Sequence, residues 1–222
     1  MTTRKAVCSL VALMLLTTTV STASAQVTPD PARDKTWGGV STATAVAAFG
    51  TALIMPRFFY PAPEVTVGYK GRWHLSQLAP VMTLATLTLI NEVAFTDTVK
   101  SQRPGCDDTN FGLTAHCQSY GGPSSHGFAA GSAFGMGVAV FLVDTMKWSD
   151  GRVSGVSVAT NIALPLILGG ITIVGRSQGN YENGGQILSG TLLGLGLGFV
   201  TGMVYAEMSR PECGYSGSLI CW

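Results

Sequence analysis

Apolar residues fall along this chain in blocks, separated by short polar stretches, with little strict alternation. The blocks run from Trp37 to Met55, Leu75 to Phe95, about Gly127 to Met146, about Val153 to Gly175 and about Ile187 to Tyr205. Each approaches the roughly 20 residues a helix needs to cross a hydrocarbon core. The pattern therefore predicts an all-α, polytopic membrane bundle of about five transmembrane helices. Pro56 ends the first run, with Trp37 as an interface anchor at its start. Asn91 and Glu92, at the far end of the second, are costly in lipid and are expected to face protein or the interface. Asp144 lies near the end of the third run, Lys147-Trp148 closes it, and Asn161 and Pro165 break the fourth.

The N-terminus carries a sixth, shorter apolar stretch. Arg4 and Lys5 precede Ala6 to Leu16, and Ala23-Ser24-Ala25 stands before Gln26. That is the charged, apolar, small-residue order of a secretory signal peptide, with an apolar part too short to span a bilayer comfortably. Residues 1–25 are expected to be cleaved, an uncleaved anchor being the alternative. Residues 26–36 then form an extracytoplasmic leader, 37–207 the membrane domain and 208–222 a C-terminal tail.

Composition agrees. Hydrophobic residues make up 46% and charged residues only 11%, where a soluble domain carries about a quarter charged. The 28 glycines and a mean hydropathy of +0.35 suit helices packed closely in lipid. Gly131 and Gly135, and Gly190, Gly194 and Gly198, recur at four-residue spacing and predict close backbone approach. A net charge of +1 argues against a nucleic-acid partner.

With an extracytoplasmic N-terminus, five spans place the Arg57–Arg72 and Lys147–Arg152 loops inside, as the positive-inside rule asks. The same count gathers Arg103, Ser124–His126 and Arg176 outside and leaves Cys213 and Cys221 inside. Cys106 and Cys117 flank one short exported loop, where an oxidised pair is expected. No C-x2-C spacing exists and only His74, His116 and His126 are available, so no metal site is expected.

The gathered loops supply the candidate chemistry. Gly121-Gly122-Pro123-Ser124-Ser125-His126-Gly127 places two hydroxyls and an imidazole at a helix start. Ser124 and Ser125 there read as plain N-caps or as part of an anion site. With Arg103 and Arg176, whose forks bind phosphate bidentately, the set points to a phosphate monoester.

The order and spacing resemble the type 2 phosphatidic acid phosphatase and vanadium haloperoxidase superfamily, whose pattern is K-x6-R-P, then P-S-G-H, then S-R-x5-H-x3-D. Arg103-Pro104 matches the end of the first element. Pro123-Ser124-Ser125-His126 matches the second with Ser125 in place of glycine, and Gly175-Arg176 matches the start of the third. Gln186-Ile187-Leu188-Ser189-Gly190 looks like the D-V-L-A-G run that follows, and the resemblance covers roughly residues 75–205. It implies a multi-pass protein of a bacterial-type inner membrane, with its active-site face extracytoplasmic, that removes phosphate from a lipid or isoprenoid without a cofactor. Phosphate binding then falls to Arg103, Ser124, Ser125 and Arg176, and the general acid to His126.

The departures fall on the nucleophile. Counting from Arg176, its position is Glu182, and the supporting aspartate position is Gln186. A haloperoxidase needs the same missing histidine to hold vanadate. The first-element lysine position is Thr96, with Lys100 one helical turn on and still within reach of the anion. Glu182 against a phosphate dianion would be repelled by roughly 4 kcal/mol per charge pair at about 4 Å and an effective dielectric near 20. Glu182 is therefore expected to pair with Arg103 or Arg176 and occupy the anion hole, which impairs or alters phosphatase activity. Two alternatives keep catalysis: Glu182 as a phosphoryl acceptor with His126 as acid, or His116 in place of the missing ring. A non-catalytic membrane scaffold or phospholipid-binding pseudoenzyme is the competing reading.

Overall fold

The computed structural model describes residues 33–54, 78–113, 117–148 and 151–208. The signal segment, His74, His116, the Arg57–Arg72 loop, Cys213 and Cys221 lie outside the described residues. Five helices are long and apolar enough to cross a membrane: α1 Lys35–Ile54, α2 Leu78–Val99, α3 Ser125–Lys147, α4 Gly155–Gln178 and α5 Gly184–Met208.

Their ends differ from the apolar runs by a few residues because capping, not hydropathy, sets a helix start. Asp34 caps α1 by accepting from the backbone N–H of Thr36 at 2.8 Å and of Trp37 at 3.3 Å. Asn183 and Gln186 cap α5 reciprocally. Gln186 N–H donates to Asn183 Oδ1, and Asn183 N–H to Gln186 Oε1, each at 2.9 Å. The helix α2 runs on past Phe95 through a wide turn at Asn91–Phe95 and stops at Lys100, whose φ of 51° is left-handed.

Asn161 and Pro165 interrupt the fourth apolar run, and the helix continues through them as one span. A wide turn at Ala159–Ala163 precedes Pro165. Such a turn accommodates the N–H that proline lacks without ending the helix.

The most buried of these helices is α3, which packs along α5 and also touches α1, α2 and α4. The predicted glycine spacing is what admits it. A Cβ on Gly194 would run into the backbone of Phe128, and one on Gly135 into that of Leu195. Such close backbone contacts hold helices together by dispersion and shape. Ala52, Leu84, Met136, Val140, Val143 and Ala206 form the core towards the end of the bundle where α3 finishes. Hydroxyls add ties between helices, Thr44 to Thr172 at 2.8 Å and Thr83 to Tyr205 at 2.7 Å. Large apolar side chains such as Leu89, Val93, Ile167, Leu188 and Val200 stay exposed around the bundle, as lipid-facing positions do.

The loops around residues 100–124 and 179–183 and the start of α1 meet at one end. Asp34 N–H reaches Gly179 O at 3.4 Å, and Gln186 Nε2 reaches Gln102 O at 2.8 Å.

Candidate functional site

Ser124 shows how the N-cap and anion-site readings combine. Its Oγ accepts the N–H of Gly127 at 2.9 Å, capping α3, and donates its own proton to Glu182 Oε2. The residue is fully buried, and its N–H donates to Gln186 O at 2.9 Å. Gly190 makes this seat, since a side chain there would collide with the Ser124 backbone.

Glu182 is brought to Ser124 and Arg176 by a tight turn. The helix α4 runs three residues beyond Gly175, placing Arg176 in its last turn, where the helix dipole favours a cation. Asn180 then takes a left-handed φ of 56°, and Tyr181 N–H returns to Arg176 O at 3.1 Å. The chain thus folds Glu182 back onto the guanidinium six residues behind it. Arg176 Nη2 and Nε donate to Glu182 Oε1 at 2.7 and 3.2 Å. The Tyr181 ring covers the guanidinium, 4.5 Å from centroid to Cζ. Arg176 and Glu182 are 6% and 5% exposed, so this is a buried ion pair.

His126 stands beside the pair, its Nδ1 4.0 Å from Glu182 Oε1. Its Nε2 shares a 3.2 Å hydrogen bond with Thr42 on α1. Ser125, one residue before, turns away from this cluster and donates to Glu92 Oε2 on α2. Asn91 is buried and donates to Pro123 O at 3.0 Å. The polar pair expected to face protein or the interface is therefore divided, Asn91 into protein and Glu92 onto Ser125.

Arg103 donates to Ser119 O at 3.2 Å and to Ser119 Oγ at 3.3 Å. Burial holds its pKa below the ordinary arginine value. The charges of Glu182 and Glu92 oppose that shift, while Arg176 adds to it. Arg103 and Arg176 thus share this end of the bundle with Glu182 and Glu92. Lys100 is exposed at the end of α2.

Gln186, at the position where the resemblance expects a ring-holding aspartate, instead clamps the loop. Its Nε2 donates to Ser101 Oγ at 2.9 Å, Ser101 O at 3.2 Å and Gln102 O at 2.8 Å. Gly121 and Gly122 lie against its side chain. The Cys106–Cys117 disulfide is formed, with Cα atoms 5.5 Å apart. Among the described residues, no group of His, Cys, Asp and Glu is placed to hold a metal ion.

Thr42, Tyr181 and Ser119 are part of the arrangement and carry no sequence motif. Asn183 had a readable signal, the Asn-x-x-Gln spacing of a reciprocal cap. Comparison of the chain with protein-family models, curated proteins and solved structures finds no match.

Proposed function

We propose that this chain is a multi-pass membrane protein with a type 2 phosphatidic acid phosphatase-like bundle, its polar end extracytoplasmic, whose phosphate hole is filled from within by Glu182. The observation that carries the reading is the Glu182 carboxylate, bound by Arg176 and Ser124 as a phosphate oxygen pair would be. One Glu182 oxygen takes both guanidinium donors and the other takes the Ser124 proton. Both oxygens are held by these donors, so attack on phosphorus would first have to break the ion pair. A lipid or isoprenoid phosphate enters only by displacing Glu182, against the repulsion of Glu92 and Glu182 together. The protein is accordingly a non-catalytic membrane scaffold.

The test is phosphate release from phosphatidic acid and undecaprenyl pyrophosphate by the detergent-purified protein, beside inorganic phosphate binding by the wild type and Glu182→Ala. Background release, with phosphate bound only by Glu182→Ala, is expected. Turnover by the wild type that Glu182→Ala abolishes would make Glu182 a nucleophile and overturn the reading.

A further inference from the structure

A groove of about 340 Å³ runs down the outside of the bundle between α1, α2 and α3, within the size range of small-molecule sites. Its lower walls are formed by Ala45 and Phe49 of α1 and Ala85, Thr88 and Leu89 of α2, and the Thr88 hydroxyl is spent on Leu84 O at 2.9 Å, so the surface is essentially apolar. At its upper end stand Glu92, Ser125 and His126. From Thr42 beside the head end to Phe49, α1 rises about 10 Å at 1.5 Å per residue. This polar head over an apolar trough has the shape of a single-chain amphiphile.

The chemistry of the head end selects its guest. Glu92 accepts hydrogen bonds and cannot donate. Among the described residues, its one hydrogen bond comes from Ser125, into Oε2. Ser125 spends its proton there and presents only acceptor lone pairs to anything else. Arg103 attracts Glu92 electrostatically, but its hydrogen bonds go to Ser119. A carboxylate on a membrane-spanning helix is costly unless a partner neutralises it.

We propose that this groove binds a long-chain amine, with the protonated amine donating to Glu92 and the chain lying along Ala45, Phe49, Ala85 and Leu89. Charge complementarity sets the preference. Among the described residues lining the groove, Glu92 is the one Asp, Glu, Lys or Arg, and His126 beside it has its Nε2 engaged with Thr42. An ammonium completes the coordination of Glu92, where a phosphate head would meet a carboxylate. The inference rests on the membrane reading above and is independent of whether the neighbouring hole turns over phosphate.

The probe is a dodecylamine carrying a diazirine in mid-chain, photocrosslinked to the full-length protein in detergent and mapped by mass spectrometry. Labelling is expected on the α1 and α2 segments that line the trough. Dodecylamine should compete at least about tenfold better than dodecyl phosphate or dodecanol, one charge-assisted hydrogen bond's worth. Glu92→Gln, a near-isosteric change, should remove that preference, and Ala85→Phe, at an exposed position, should abolish labelling by filling the groove. Labelling spread evenly over all lipid-facing helices would overturn the proposal, as would equal competition by the phosphate or the alcohol, or a preference unchanged in Glu92→Gln. Alkaline carbonate extraction of membranes tests the membrane reading separately: release of the protein would refute that reading itself.

Discussion

Glu182 Oε1 lies 2.7 Å from Arg176 Nη2, while the other oxygen of the same carboxylate takes the proton of Ser124. The pair is buried, so its members cannot be removed singly at low cost. Truncating one partner leaves an uncompensated charge, a loss of about 3–5 kcal/mol.

Glu182→Ala should therefore lower the thermal unfolding midpoint in detergent sharply, and Arg176→Ala should do the same. The double variant should lose less than the sum, with a coupling of about 1–3 kcal/mol. Millimolar inorganic phosphate should recover part of the loss in Glu182→Ala and none in the wild type, measured by the same unfolding scan.

Gln186→Ala removes the side chain that ties the start of α5 to Ser101 and Gln102 and completes the cap with Asn183. Left without those donors, the 101–102 carbonyls turn to water. The expected cost is about 1–3 kcal/mol, with faster amide hydrogen exchange in the loop around residues 100–105 and little change in α4.

Gly194→Ala should separate α3 from α5, because the added methyl meets the Phe128 backbone. A cost of about 1–3 kcal/mol is expected from overpacking. Gly196→Ala, two residues away with nothing within 4 Å of the added carbon, is the control. That change should be neutral or gain up to about 1 kcal/mol from helix propensity. Equal effects at both positions would show that the α3–α5 contact is not as tight as described.

Cys106→Ser/Cys117→Ser opens a loop closed across a sequence separation of 11. On the loop-entropy account the loss is roughly 2–3 kcal/mol. The hydrogen bonds of Arg103 to Ser119, just beyond Cys117, should weaken with it, read as faster exchange of amides in residues 117–120. Chemical reduction of the wild type should reproduce the effect.

Much of the bundle is legible from residue order. Five apolar runs become five helices, because a run of about 20 apolar residues partitions and folds by its own length and composition. The ends move by a few residues: Lys35 for Trp37 and Gly184 for Ile187, where Asp34 and Asn183 act as caps. In the fourth, the interruption read at Asn161 and Pro165 takes the form of a wide turn at Ala159–Ala163, and a proline predicts a lost hydrogen bond but not whether such a turn absorbs it. Within the site, the counting that singles out Glu182 and Gln186 is linear and needs no structure, and the parity of five spans already gathers Arg103, Ser124, His126 and Arg176.

The partners are another matter. The sequence by itself determined that the chain makes apolar helices, that its small residues recur on one face, and that a carboxylate and an amide stand six and ten positions after Arg176. Only the tertiary structure decided that Glu182 meets Arg176 and Ser124, that Ser125 turns to Glu92 and that His126 reaches Thr42, across sequence separations as large as 84. Hydropathy and spacing are local properties that each segment carries wherever it goes. Which donor finds which acceptor depends on the rotation of each helix about its axis and on one left-handed turn at Asn180, and those are fixed when the helices pack against one another.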